Sequence, residues 1–367
     1  MTDFWRICLF FLQHCVILYS DNVFIEHFNL SKSGIKQVAA LCGVSPATVS
    51  RTLSNPDIVS EKTRDKVLKA VELCGYTPNR FGASLRTQKS GNIVVIIPDI
   101  TNSVNAGIIR SIENAAAKVG YSVLLGDTQR DPEKVKHYAA MVRSGQVDGI
   151  LLFSHQFPFD LKEDSSLLHH LPPMVNSCEP LALDNICKVM INNTAAAKMA
   201  VNHLLDLGHR RIGAITGNMD APSSQERLAG YTQALQEAGI EFSVELVVDG
   251  NYQIESGKLG ATKLLALHNR PTAIFCFSDN IAVGAYSALY EAKIEVPQQM
   301  SIVGFDDTEF SGYLNPPLTT VHQPLIEIGQ QCMRLLLAQL NAKPISNKYV
   351  ELPVQLIIRN STAKISH

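Results

Sequence analysis

Between positions 45 and 51 the chain reads Ser45-Pro46-Ala47-Thr48-Val49-Ser50-Arg51, small and hydrogen-bonding side chains gathered around one arginine. On a helix with Val49 and Leu53 turned inward, Pro46, Ala47, Ser50 and Arg51 share the outward side. The guanidinium fork of Arg51 matches the paired acceptors that guanine offers in the major groove, and that groove admits a helix. Ser45, Thr48, Ser50 and the free amides at the helix start suit phosphate oxygens, which fix register rather than sequence. A second group of candidates consists of polar residues that directly follow apolar runs. These are Asp99 to Asn102, Asp127, Asn218, Ser278-Asp279-Asn280 and Asp306-Asp307. Each alone reads equally well as a turn or a helix cap. As a set they mark the rim of a ligand cleft, because ligands of parallel sheets bind beyond the carboxyl ends of the strands.

The elements that must position the first group are short helices. Ile35, Val38, Ala39 and Cys42 recur at helical spacing, and Gly43 ends that helix. Ser45 is a good N-cap and Pro46 suits the first helical position of the next one. Ser60 is expected to cap a third helix, with Val67, Leu68, Val71 and Cys74 as its inward stripe before Gly75. Two helices joined by a glycine turn make a helix-turn-helix; the plainer alternative is a small helical cap with solvated charges. The second group needs a different frame. Ile93–Ile97, Val123–Leu125, Ile150–Leu152 and Met174-Val175 are apolar runs separated by helix-like stretches. Ile212–Ile215, Leu246–Val248, Ala273–Phe277 and Ile302–Gly304 form a second such series. This alternation predicts two doubly wound parallel sheets in tandem. Phe275, inside one of these runs, reads either as an apolar wall of the cleft or as plain core.

A chain of 367 residues with 46% hydrophobic and 18% charged residues has material for two or three folded units and excludes a disordered or fibrous protein. The net charge of −2 hides an asymmetry: residues 34–90 hold nine Lys or Arg against four Asp or Glu, so the remainder is acidic. A basic module on an acidic body points to a polyanion as partner of the module. The eight cysteines form no CxxC pair and read as reduced thiols of a cytoplasmic protein, Cys42, Cys74 and Cys276 as small buried hydrophobes. The apolar stretch from Trp5 to Tyr19 is too short to span a bilayer and lacks a signal-peptide cleavage pattern, so residues 1–33 read as an extension. No HExxH, GxSxG, Walker A or GxGxxG pattern occurs, and His203 and His209 read as structural groups at a helix end. No enzyme activity, metal or cofactor is expected.

The run Ile35-Lys36-Gln37-Val38-Ala39, Gly43 to Arg51, Val59-Ser60-Glu61-Lys62-Thr63-Arg64 and Gly75-Tyr76-Thr77-Pro78-Asn79 resembles the amino-terminal signature of the lactose-repressor (LacI) family. The likeness extends over about residues 34–360. It implies that Pro46, Ala47 and Arg51 hold the base-reading positions, Pro46 being a departure because it offers no hydrogen bond. It also implies that residues 79–91, from Asn79 on, form a hinge helix that orders on DNA and wedges Leu85 between base steps; the segment read alone is a basic linker. Gly230-Tyr231, Ser278 to Ala282, Gly304 to Asp307 and Pro317 to Val321 resemble the effector-binding core shared with periplasmic sugar-binding proteins, and Arg227 and Asp306 match effector-contacting positions. Ser103-Val104-Asn105 replaces the proline and aromatics that the family commonly has there. Pro158-Phe159-Asp160, Leu171 to Val175 and Asn315-Pro316-Pro317 resemble the family's cytidine-repressor branch, which implies a nucleoside effector, with a sugar as the alternative.

The expected organisation is thus an extension (1–33), a three-helix helix-turn-helix domain (34–78), a hinge helix and linker (79–91), and an effector-binding and dimerisation domain (92–367) of two doubly wound parallel-sheet subdomains. DNA contacts are expected from Ser45, Pro46, Ala47, Thr48, Ser50, Arg51, Asn79 and Leu85. Effector contacts are expected from Asn105, Asp127, Arg227, Phe275, Asp279 and Asp306. The expected function is ligand-controlled repression by a cytoplasmic, nucleoid-associated homodimer on double-stranded operator DNA, with no membrane attachment. The competing reading is an exported solute-binding protein, which would have no use for a helix-turn-helix.

Overall fold

The computed structural model describes residues 34–76, 89–159 and 171–365. The expectations for residues 1–33, Asn79 and Leu85 lie outside them. The chain divides into two units, with the boundary between Arg86 and Thr87.

The smaller unit holds three helices, α1 (Ile35–Cys42), α2 (Pro46–Ser54) and α3 (Glu61–Cys74). Gly43 takes the left-handed conformation (φ 65°) that lets its own and the next amide turn back onto α1 carbonyls, which makes the tight turn. Ser45 caps α2 by accepting the Thr48 amide at 3.1 Å, with Pro46 first in the helix, as expected. Val38, Ala39, Val49, Val67 and Ala70 form the small core. Two details differ from expectation. Ser60 stands before α3, but its hydroxyl meets the Thr63 hydroxyl at 3.0 Å instead of a helix amide. Leu68 is 47% exposed and Ala70 takes its inward place, because the stripe through Val67 continues at i+3, i+4 and i+7 rather than at i+1.

In the larger unit the first sheet contains β1 (Asn92–Ile97), β2 (Ser122–Asp127), β3 (Gly149–Leu152), β4 (Met174–Ser177), β5 (Cys187–Ile191) and a late strand, β11 (Tyr349–Leu352), in the order β11-β5-β4-β3-β1-β2. All its pairings are parallel. The second contains β6 (Ile212–Ile215), β7 (Val247–Val248), β8 (Ala273–Cys276), β9 (Ser301–Asp306), β10 (Thr319–His322) and β12 (Gln355–Ile357), in the order β12-β10-β9-β8-β6-β7. Only β12 runs antiparallel, against β10. The pleat explains the unbroken apolar runs. Ile93, Val95 and Ile97 enter one core while Val94 and Ile96 enter another on the opposite face, so both faces are buried.

Helices α4 (Ser103–Ala117), α5 (Pro132–Arg143) and α10 (Leu325–Leu340) cover the first sheet. Helices α6 (Asn193–Asp206), α7 (Pro222–Glu237), α8 (Ile254–Leu265) and α9 (Asp279–Glu291) cover the second. The chain therefore crosses between the sheets three times, after β5, after β10 and after β11. Strands β5, β10, β11 and β12 were not anticipated as strands. β10 carries two threonines, and β11 alternates exposed with half-buried positions at a sheet edge, so neither presents an apolar run.

Helices α8 and α9 pack backbone to backbone through glycines. A methyl group at Gly284 would collide with the Ile254 carbonyl, and one at Gly257 with the Ile281 carbonyl. Helix propensity alone would make Gly284→Ala stabilising by about 0.5–1 kcal/mol. The expected outcome is the opposite sign, a net loss of about 1–3 kcal/mol from the forced separation, read by urea unfolding of the purified chain.

Candidate functional site

Helix α2 presents Pro46, Ala47 and Arg51 to solvent, with Thr48 and Ser50 half-buried beside them and Val49 and Thr52 underneath. The Arg51 guanidinium has no partner among the described residues, and it projects from the same turn as Ala47 and Ser50. Ser45 is committed locally: its oxygen accepts from the Thr48 amide and lies 2.9 Å from the Thr48 hydroxyl. The exposed face is small-residue-rich with one cation, the shape that enters a groove without steric conflict.

The second site is a cavity between the two sheets, lined from both. Asp99, Asn105, Thr128, Arg130, Gln156 and Glu179 come from the first subdomain; Asn218, Ser223, Arg227, Tyr252 and Asp306 come from the second. Asn105 sits in the first turn of α4, which Asn102 caps through the Val104 amide at 3.0 Å. Its amide nitrogen donates to the Asp99 carbonyl at 2.7 Å, which fixes the side chain against the cavity wall.

Arg227, on α7, is only 6% exposed, and its guanidinium is engaged at Nε, at Nη1 and on one face. Nε donates to Asn193 Oδ1 at 3.0 Å and Nη1 to the Phe277 carbonyl, while the plane lies over the Phe305 ring at 3.6 Å from its centroid. Asp306 ends β9 with a left-handed backbone (φ 117°), and Asp307 follows at φ 57°. Gln323, at the second crossing, donates to Asp306 Oδ1 at 2.7 Å. Burial pushes the Asp306 carboxyl up to about 8, against the opposing pull of Arg227 3.9 Å away; the nearby Asp279 carboxyl raises it further. Burial and Asp279 thus make this carboxyl hold its proton more tightly than a surface carboxyl does, while Arg227 acts in the opposite sense.

Of the six expected effector contacts, the structure brings Asn105, Arg227 and Asp306 together at the cavity. The other three do not line it. Phe275 is fully buried in β8 and packs on Phe277 at 5.1 Å between centroids, the core alternative for that residue. Asp279 is also fully buried; it accepts from the Thr308 amide at 2.8 Å, from Thr320 Oγ1 at 2.6 Å and from Thr308 and Ser311 hydroxyls, so it ties α9 to β10 and to the loop after β9. Asp127 ends β2 one residue short of the rim, and Thr128 lines the cavity in its place. Gly230 and Tyr231 also serve the fold: Gly230 lets α7 touch α6, and Tyr231 donates to the Ile212 carbonyl at 2.7 Å.

Several lining residues escaped the sequence reading, Glu179, Asn193, Tyr252 and Gln323 among them. Glu179 lies two residues beyond β4, past the less apolar Asn176-Ser177-Cys178, so the rule of looking just after an apolar run stopped too early. Asn193, Tyr252 and Gln323 are placed by tertiary structure alone. Tyr252 packs where Gly217 has no side chain, and a methyl there would occupy the ring. His209 is buried among Thr272, Ser301 and the Ala363 carbonyl, and burial lowers its basicity. No group of three or more potential metal ligands, and no helix long and apolar enough to cross a membrane, occurs among the described residues.

Because the Asp306 proton is retained when folded and lost near the ordinary carboxylate value when unfolded, folding takes up a proton. Stability should therefore fall as pH rises from the carboxylate range through about 8. Asp306→Asn should flatten that slope, as read by urea midpoints between pH 5 and 9.

Residues 34–79 match the family model of bacterial regulatory proteins of the lacI family, and residues 201–362 match that of a periplasmic binding protein-like domain. The HTH-type transcriptional repressor CytR of Escherichia coli (strain K12) is 40% identical over 328 residues, which span 89% of this chain and 96% of that protein. The HTH-type transcriptional repressor PurR of Vibrio campbellii is 32% identical over 90% of this chain and 99% of its own length. The crystal structure of the Lac repressor dimer bound to operator and the anti-inducer ONPF superposes with a TM-score of 0.80 at 27% identity, covering 91% of this chain and all of that one. The three-helix head, the paired parallel sheets and these likenesses agree: the chain belongs to the lacI family of bacterial transcriptional regulators and is not an enzyme.

Proposed function

We propose that this regulator reads an operator through α2 and is controlled by a nucleoside bound between its two α/β subdomains, acting as a homodimer on paired half-sites. The observation that carries the effector reading is the convergence of Arg227 and Asp306 with Asn105 on one cavity lined from both sheets. An arginine and a carboxyl orient a ribose or a base by paired hydrogen bonds. Likeness to the cytidine-repressor branch favours a nucleoside over a sugar, and Asn105 supplies an amide where the family commonly has an aromatic. The working division is a DNA-binding domain at 34–78, a hinge at 79–91 and an effector and dimerisation domain at 92–367.

On the DNA side, Arg51 is the base reader, with Pro46 and Ala47 packed against base edges. Ser50 and Thr48 hold phosphates, and Ser45 contributes by fixing the helix start. Asn79 and Leu85, outside the described residues, complete the contact through the hinge. Binding in the cavity changes the angle between subdomains and so the operator affinity, a coupling typically of about 1–3 kcal/mol.

The test is a thermal-shift screen of nucleosides, purines and sugars on the purified chain, followed by operator binding with each hit. A nucleoside is expected to raise the melting midpoint; a shift from sugars alone would replace the effector class and leave the cavity assignment standing. Arg51→Ala should cost about 1–3 kcal/mol on the preferred operator and much less on unrelated duplex. Equal losses on both would remove Arg51 from base reading.

A further inference from the structure

Helix α7 starts without a side-chain cap of its own, since its N-cap residue is Ala221 and Pro222 occupies the first helical position. The orphan amides of a helix start need acceptors. Here the acceptor arrives from the other wall of the cavity. The Ser223 amide donates to Glu179 Oε2 at 3.1 Å, and the Ser223 hydroxyl donates to Glu179 Oε1 at 2.6 Å. Glu179 follows β4 in the first sheet, whereas α7 is pinned to the second through Tyr231 and the Ile212 carbonyl. One carboxyl group thus joins the two subdomains by two hydrogen bonds at a helix end; burial raises its pKa, and the Ser223 hydroxyl and amide, with Arg227 beyond them, pull the other way.

The connection continues inward. With its proton directed to Glu179, Ser223 Oγ is left as an acceptor 3.1 Å from the Tyr252 hydroxyl, which also lies 2.6 Å from Ser224 Oγ. The Tyr252 ring stands 5.9 Å from the Arg227 guanidinium. A second cross-cavity bond, from Arg130 Nη2 to the Asn251 carbonyl at 3.3 Å, holds the residue preceding that tyrosine. These bonds between the walls converge on the loop that carries Tyr252.

We infer that Glu179 is the latch of the cleft, a positioning residue that caps α7 from the opposite subdomain and thereby sets how readily the walls close and where Tyr252 stands beside Arg227. Opening the cleft strips α7 of its cap and releases the Tyr252 loop together, so closure and the shape of the pocket are one event. Replacing the carboxylate separates them. The inference rests on reading the cavity as the effector site, but its test requires no effector.

Hydrogen exchange is followed by mass spectrometry on the full chain and on Glu179→Ala, Glu179→Gln and Ser223→Ala. In Glu179→Ala, exchange should rise on the order of tenfold at residues 222–226, the size of a lost cap, and also at 249–253, which a purely local cap would leave unmoved. Glu179→Gln keeps an acceptor for the Ser223 amide and should recover part of the protection. Ser223→Ala removes the hydroxyl bond to Glu179 and that to Tyr252 but keeps the amide bond, so alone it should raise exchange at 222–226 less than Glu179→Ala, and the two combined should be less than additive there. Unchanged exchange at 222–226 in Glu179→Ala and Glu179→Gln, or a rise confined to 222–226, overturns the latch. If Glu179→Ala fails to fold, Glu179→Gln and Ser223→Ala decide the matter by the same two segments. The expected exchange pattern with no response to nucleosides or sugars would leave the latch standing and remove the effector reading instead.

Discussion

The larger unit is organised around one buried cation. Arg227 is almost wholly buried on α7, and a guanidinium there needs partners for its donors and cover for its flat face. Asn193 and the Phe277 carbonyl take Nε and Nη1 and the Phe305 ring takes the face, from three separate elements. Each is thereby fixed relative to the others. Asp306 lies 3.9 Å from Arg227, and burial raises its pKa against that pull. A guanidinium and a carboxyl side by side in a polar cavity are what a hydrogen-bonding ligand would meet.

The fold was legible where burial is uniform. Central strands such as β1 and β8 are covered on both faces, and their continuous apolar residues announce them. Helices α1 and α2 were equally plain, because Gly43, Ser45 and Pro46 each act within a few residues of where they stand. Strand β10 was hidden because its threonine hydroxyls meet polar partners, Thr320 the Asp279 carboxyl and Thr319 the Arg359 amide, rather than hydrocarbon. The edge strand β11 was hidden because half of it faces solvent.

The cavity was legible only in part, for a related reason. Looking just past strand ends found Asp306 and the neighbourhood of Asn105, since the rule depends on topology. It also selected Asp127 and Asp279, which occupy the same kind of position but point elsewhere. A polar residue at a strand end can cap, brace or bind, and the choice depends on which neighbours its side chain meets. For Asp279 those neighbours are Thr308, Ser311 and Thr320, drawn from positions up to forty-one residues away. Family likeness, not local spacing, singled out Arg227.

The three passages of the chain between the sheets have a genetic corollary. Neither half of the larger unit is a contiguous stretch of sequence: the first sheet is completed by β11, encoded after all of the second sheet except β12. No single cut can therefore release one half intact, and one crossover between related genes cannot exchange a lone half without mixing the two parents' elements within a sheet or its covering helices. Such proteins should diverge in specificity by point substitution along the cavity walls rather than by trading halves.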